Sequence, residues 1–426
     1  MAMTILFGVF AVLLLIGTPV AFCLGLASLA TVIYLDLPPV VVFQQVNSGM
    51  NAFSMLAIPF FIFAGDLMMR GGIADRLIGM AASLVGHLRG GLGQVNVVAS
   101  TLFGGISGSA VADASAIGGI MIPQMARHGY GRDYAVNVTV SAAIIALMIP
   151  PSHNMITYSL AAGGTISIAD LFTAGILPGI LLAAALMVTA YVVARQRGYP
   201  AGVFPGWHAV LRAVVAAVPG ILLIGIIFGG VRSGIFTATE SSCIAVIYAL
   251  LVTTLVYREM DWNAFLEATL GAVRTTAMVL LVIGTAASFG WLMAFLQVPK
   301  AATEAMQAIS SNPYVILLLI NIVLLVLGTF MDMAPMIIIC TPIFLPLVKA
   351  FGIDPVHFGV ILILNAGIGL NTPPVGSVLF VGCAVGKISI GDAMKTIWPF
   401  FGASVAVLLV VTYVPAVSLW LPSLFR

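Results

Sequence analysis

Shifted against itself by 223 residues, the chain repeats its least ordinary positions. Gly105 falls on Gly328, Ile120 on Ile343, Pro123 on Pro346 and Gly129 on Gly352. Ala143, Ile145 and Leu147 fall on Ala366, Ile368 and Leu370, and Pro150-Pro151 falls on Pro373-Pro374. One residue is then lost, and the segment from Ile166 to Asp170 meets the segment from Ile388 to Asp392. Apolar matches come easily in a chain that is 62% hydrophobic. A Gly/Pro register held over about fifty residues does not. The fold must therefore contain two related halves that interrupt their apolar segments at the same places, as secondary transporters do.

Only 7% of the 426 residues are charged, and the mean hydropathy is +1.19. A soluble domain carries roughly 25% charged residues, so this chain belongs in a bilayer. Its apolar runs suit helices of about 20 residues and lack the alternation of a membrane barrel. A net charge of +2 gives no argument for nucleic acid. Cys23, Cys243, Cys340 and Cys383 sit in apolar runs without metal-like spacing and read as small buried hydrophobes. The N-terminus has no basic start and no A-x-A site, so it reads as a retained first span.

Apolar spans are predicted near 3–35, 52–69, 133–165, 171–194, 213–230, 236–257, 275–297, 354–386 and 396–420. Segments 90–127 and 313–349 are too broken by Gly and Pro to be simple spans. Each reads as a helix followed by a hairpin that enters the membrane and returns, a geometry tolerated only where it is buried or lines a cavity. With the N-terminus inside, 12 of the 16 basic residues face the cytoplasm and 4 face out: Arg232, Lys300, Lys349 and Arg426. The same placement makes the halves opposite in orientation. The expected division is a first inverted repeat over 1–197, a connecting segment over 198–212 and a second repeat over 213–426. Their hairpins lie near 104–128 and 328–350, and their broken helices at 149–153 and 371–376. Gly71 to Gly91 is polar enough to lie along the cytoplasmic surface.

Four constellations carry chemistry. The first runs from Gly104 to Asp113 and includes Ser107, Gly108 and Ser109. Facing lipid, these groups would be costly. Gly lets the backbone turn and brings carbonyls near a ligand, while Ser hydroxyls are hard oxygen ligands of the kind sodium prefers. Tight packing of small residues is the plainer reading, and it does not account for Asp113. The second runs from Gly328 to Pro335, where Asp332 lines up with Ser109. Asp332 either ligates a cation or caps a half-helix. The third and fourth are Ile149-Pro150-Pro151-Ser152 and the segment from Asn371 to Gly376. A double proline removes two donors and breaks the helix. The half-helix N-termini then attract anions, and the freed carbonyls attract cations. A simple kink is the alternative. His153 follows the first break where the second half has Gly376; it is either a solute contact or a hydrogen-bonded core histidine. Asp66 and Glu240 read as scaffold contacts, and Trp262, Trp291, Trp398 and Trp420 as interfacial belt residues.

There is no H-E-x-x-H, C-x-x-C, P-loop or G-x-S-x-G, so enzymatic chemistry is not expected and the energy source should be an ion gradient. At these motifs the chain resembles the large membrane subunit (DctM type) of the tripartite ATP-independent periplasmic, or TRAP, transporters. The resemblance spans essentially the whole chain. It rests on the run from Gly17 to Phe22, the run from Pro59 to Gly65, Gly104 to Asp113, Pro150-Pro151-Ser152, Gly328 to Pro335, and Asn371 to Gly376.

The resemblance implies an all-α elevator transporter in the bacterial inner membrane, with a mobile domain of two hairpins sliding against a scaffold. It implies uptake of a small organic acid coupled to sodium entry. Two partners are implied: a small four-helix membrane subunit (DctQ type), expected as a separate polypeptide, and a periplasmic solute-binding protein (DctP type). Carried over, one sodium site involves Ser107, Gly108, Ser109, Pro150 and Ser152, and the other Gly328, Thr329, Asp332, Thr372 and Gly376. Asp113, Pro151, His153, Asn371 and Pro374 are the candidates for solute contact. A stand-alone sodium/organic-anion symporter of the same architecture fits composition and repeat equally well. A channel and an intramembrane enzyme fit them less well. Nothing in the sequence names the solute.

Overall fold

A computed structural model of the chain describes residues 1–373 and 376–425, with Ile106 by its backbone alone. Among these residues the chain is helical throughout; one isolated bridge joins Arg89 to Ala201. The first half begins with α1 (Ala2–Leu15), α2 (Val20–Tyr34), α3 (Val40–Met50), α4 (Ala57–Arg70) and α5 (Ile73–Val85). There follow α6 (Gly91–Ser107), α7 (Ala110–Arg127), α8 (Arg132–Ala143), α9 (His153–Ala161) and α10 (Ile168–Gln196). The second half holds α11 (Trp207–Arg232), α12 (Ala238–Leu251), α13 (Trp262–Phe295), α14 (Val298–Ile309) and α15 (Pro313–Gly328). It closes with α16 (Met333–Ala350), α17 (Pro355–Gly369), α18 (Ser377–Gly386), α19 (Ile390–Met394), α20 (Trp398–Tyr413) and α21 (Ala416–Ser423). Among the described residues six helices are long and apolar enough to cross a membrane, or seven if α20 and α21, bent by 58°, form one span.

Helix boundaries correspond across the halves. The shift of 223 residues carries α7 onto α16 end for end. Local chemistry explains the agreement. Gly108, with φ 59, ends α6 in the left-handed region, and the Ser109 side chain accepts from the Ala112 amide to start α7. Asp332 stands at the same place before α16. Ser167 accepts from the Asp170 amide at the start of α10, and Ser389 accepts from the Asp392 amide at the start of α19. The halves differ at α13. It is one helix of 34 residues, where the first half has the separate helices α3 and α4.

The helices sort into two groups. The helices α2, α3 and α4 pack on α13, with α1 on α2 and α12 on α4. The second group is interlocked between the halves. Each half-helix that follows a proline break packs on the other half's helices: α18 on α7 and α8, α9 on α16. Polar side chains fix the exchange. Asn371 Nδ2 donates to the Val140 carbonyl at 2.9 Å, and the Tyr158 hydroxyl donates to the Pro355 carbonyl at 2.7 Å. Asn137 Nδ2 donates to the Ala393 carbonyl at 3.0 Å. Within hydrocarbon such bonds satisfy polar groups that water cannot reach.

The span predicted over 3–35 is corrected: α1 ends at Leu15, Gly17 turns with φ 88, and Pro19 precedes α2, which packs back on α1. Glu240 makes its contact within its own helix and not between helices. Its carboxylate accepts from the Thr237 amide at 2.7 Å and completes a capping box at the start of α12.

Candidate solute and cation site

The first hairpin tip meets the first proline break through backbone. Only a residue without a side chain fits at 108, because a Cβ there would lie 2.8 Å from the Pro151 carbonyl oxygen in addition to the left-handed φ. A Cβ at Gly105 would lie 3.3 Å from the Pro150 carbonyl oxygen. Asn154, in the first turn of α9, donates to the Gly108 carbonyl at 3.2 Å. Ser109 Oγ caps α7, and Ser107 Oγ accepts weakly from the Ser109 amide at 3.5 Å. Ser152 is fully buried at the N-cap of α9, yet its hydroxyl makes no hydrogen bond among the described residues. Ser107, Gly108, Ser109, Pro150, Pro151 and Ser152 thus come together as a set of neutral oxygens.

The second tip repeats this closeness with different atoms. A Cβ at Gly369 would lie 2.7 Å from Gly328 Cα, so α15 and α17 touch through two glycines. Gly376 lies against the loop before it: a Cβ would stand 2.9 Å from the Leu370 oxygen and 3.0 Å from the Thr372 oxygen. Asp332 does not cap α16 through its side chain; its Oδ1 accepts from the Ser377 hydroxyl at 3.3 Å. Thr329 and Thr372 return their hydroxyls to their own helices, on Val326 and Ile368. Pro374 lies outside the described residues.

One cavity of 440 Å³ joins the two tips. From the first half it is lined by Ser107, Ser109, Ser115, His153 and Asn154, and from the second by Asp332, Met333 and Ala334. Its far wall is the other helix group, with Asp66 and Met69 of α4 and Thr275 and Met278 of α13. The N-terminal ends of α7, α9 and α16 all border it, and helix N-termini carry partial positive charge. A more open depression of 540 Å³ lies along α14 and contains none of the expected residues.

The expected solute contacts divide. His153 opens α9 on the cavity wall, and its Nδ1 is buried without a partner. Asn371 is buried away from the cavity, holding the Val140 carbonyl. Asp113 is fully buried in the first turn of α7, with Ser100 of α6 as polar neighbour and neither carboxylate oxygen in a well-formed hydrogen bond. Asp66, expected as a scaffold contact, instead lines the cavity, and Ser115, Asn154, Thr275 and Ser377 went unassigned from sequence. An acidic residue inside an apolar span was the available signal for Asp66; Ser377 gave none beyond following Gly376.

Membrane-length helices, interlocked broken segments and a cavity between the two tips and the α4–α13 wall are the architecture of a multi-pass membrane protein. Residues 7–417 match the family described as tripartite ATP-independent periplasmic transporter, DctM component. The chain belongs to that family and is a TRAP transporter large permease subunit. It is 47% identical to the uncharacterized protein YgiK of Salmonella typhimurium, over 99% of this chain and 97% of the relative. It is 37% identical to the 2,3-diketo-L-gulonate TRAP transporter large permease protein YiaN of Escherichia coli, over 94% of each chain. Identity to the sialic acid TRAP transporter large permease protein SiaM of Vibrio cholerae is 39%, over 97% of this chain and 96% of the relative. Among solved structures, the Alcanivorax borkumensis YdaH transporter superposes with a TM-score of 0.63 at 13% identity, covering 87% of each chain, a likeness of fold alone.

Proposed function

We propose that this subunit carries a small organic acid into the cell, driven by sodium and working with a small membrane subunit and a periplasmic solute-binding protein. The observation that carries the reading is the single cavity between the two tips and the opposing wall of α4 and α13. Three helix N-termini border it and suit the carboxylate of an acid. The neutral oxygens of Ser107, Ser109, Pro150, Pro151 and Ser152 suit a first sodium ion, and the unpartnered Ser152 hydroxyl gives that set a free ligand. Gly328, Thr329, Asp332, Thr372 and Gly376 surround the second tip and are assigned a second ion. The repeats over 1–197 and 213–426 are read as inverted, with the tips entering from opposite sides of the bacterial inner membrane and the N-terminus in the cytoplasm. Transport is by an elevator in which the interlocked group slides along α4 and α13.

The test is uptake of a labelled organic acid into proteoliposomes holding this chain, its small subunit and the binding protein, with each component and the sodium gradient omitted in turn. Uptake that needs sodium and all three proteins upholds the reading. Uptake that persists without the binding protein makes the chain a stand-alone symporter, and flux indifferent to sodium removes the ion assignment.

A further inference from the structure

The cavity has a carboxylate on the wall opposite the hairpin tips. Asp66 lies in the interior of α4, and among the described residues no hydrogen bond or ion pair to it is formed. Its neighbour one turn on, Arg70, is engaged with Glu267 of α13. The facing helix makes room for the carboxylate: a Cβ at Gly271 would lie 2.9 Å from Asp66 Oδ2. An acidic side chain left unpaired in a membrane segment is costly, and a scaffold contact would have supplied it with a partner.

We propose that Asp66 is a specificity-determining residue that selects a polyhydroxylated monocarboxylate and rejects a dicarboxylate. This rests on the transport reading above. The acid's carboxylate belongs at the N-termini of α7 and α9, away from Asp332 at the start of α16. Its far end then meets Asp66. A hydroxyl there donates a charge-assisted hydrogen bond to the Asp66 carboxylate. A second carboxylate there meets like charge, which Arg70 one turn away offsets only in part because it also holds Glu267. Ser115 and Thr275 also line the cavity, and their hydroxyls match the repeated hydroxyls of a sugar acid. A site with built-in polar partners discriminates strongly because a wrong ligand leaves them unpaired.

The experiment measures the thermal unfolding midpoint of the complex of this chain with its small subunit, in sodium, against rising D-gluconate or succinate. Gluconate is expected to raise the wild-type midpoint and succinate to leave it unmoved. In Asp66→Asn the gluconate concentration for half the shift should rise at least ~10-fold, the loss of ~1.4 kcal/mol expected of one charged acceptor, and a succinate response should emerge. Gly271→Ala, which displaces the carboxylate without removing it, should weaken the gluconate response in the same direction and guards against a misfolded Asp66→Asn. The proposal is overturned by wild-type protein that responds equally to both acids or to neither, or by variants that keep the wild-type ranking. Sodium-driven uptake of succinate by the full system would leave the transport reading standing and sink this inference alone.

Discussion

Asn154 reaches from the first turn of α9 to the carbonyl of Gly108 at 3.2 Å, so one amide ties the first hairpin tip to the first proline break. The carbonyl is buried, and losing its donor costs about 1–3 kcal/mol. Asn154→Ala should destabilise the fold by that amount, lowering the unfolding midpoint, and raise the sodium concentration for half-maximal uptake several-fold. Gly108→Ala should do more harm, since it meets both a left-handed φ of 59 and the Pro151 oxygen at 2.8 Å. Equal sodium dependence in wild type and Asn154→Ala would separate the tip from ion binding.

The glycine pair of the second half invites the same treatment. Gly369→Ala drives a methyl to 2.7 Å from Gly328 Cα, backbone that cannot swing aside. Gly402→Ala, with nothing within 4 Å, is the matched control. Uptake should fall by at least ~5-fold in Gly369→Ala, as befits a ~1–3 kcal/mol overpacking penalty, and stay near wild type in Gly402→Ala. Initial-rate uptake normalised to folded protein checks it, and unimpaired Gly369→Ala would show that α15 and α17 need not touch.

Much of this architecture was legible because the interruptions are chemical. Ser109 and Asp332 at equal positions, and the double prolines after them, mark where helices stop whatever the tertiary context, and α7 and α16 begin there. The turn at Gly17 was not legible. Gly17, Thr18 and Pro19 are short beside the apolar runs that flank them, and a hydropathy reading averages over them and cannot tell a long span from two helices folded together. Nor could α14 be foreseen, since amphipathic surface helices carry no membrane-length signal. At the site, residues close in sequence could be grouped. The crossing of α9 onto α16 and α18 onto α7 joins residues more than a hundred positions apart, and no local pattern encodes it. Asp66 was visible as an odd carboxylate, but whether it faces a partner or a cavity depends on how α4 packs on α13.

The paired caps give a prediction that the repeat itself supplies. Ser167→Ala and Ser389→Ala each remove a hydroxyl that accepts an amide at 3.1 Å, and Ser167→Ala should cost ~1 kcal/mol. In the second half the Ser389 hydroxyl and then the Lys395 ammonium hold the Asp392 carboxyl below the usual range. A depressed carboxylate stabilises the fold above its ordinary pKa and loses that contribution as pH falls. Asp392→Asn should therefore unfold at a lower temperature than wild type near neutral pH, with the gap closing below about pH 4. A gap independent of pH would assign the effect to packing rather than charge.

Ser152 and Ser109 separate ion binding from folding. Both hydroxyls lie at the first tip, but Ser109 Oγ accepts the Ala112 amide at 3.3 Å, whereas Ser152 Oγ is fully buried and bonds to nothing. Removing a capping hydroxyl costs about 1 kcal/mol. Removing a buried, unsatisfied one is neutral or stabilising, because its desolvation penalty goes with it. Without sodium, Ser109→Ala should therefore unfold at a lower temperature than wild type, and Ser152→Ala at the same temperature or higher. With sodium both should show a smaller rise in midpoint than wild type, since the stabilisation from a ligand grows with the logarithm of its concentration over Kd and shrinks as binding weakens. A Ser152→Ala variant with an unchanged sodium response would mean that the free hydroxyl is a packing remnant, and the first ion would then have to be held by the carbonyls of Pro150 and Pro151 with Ser107 and Ser109. A Ser152→Ala variant that unfolds early even without sodium would mean the hydroxyl has a bond in the folded protein, which would remove the reason for placing an ion beside it.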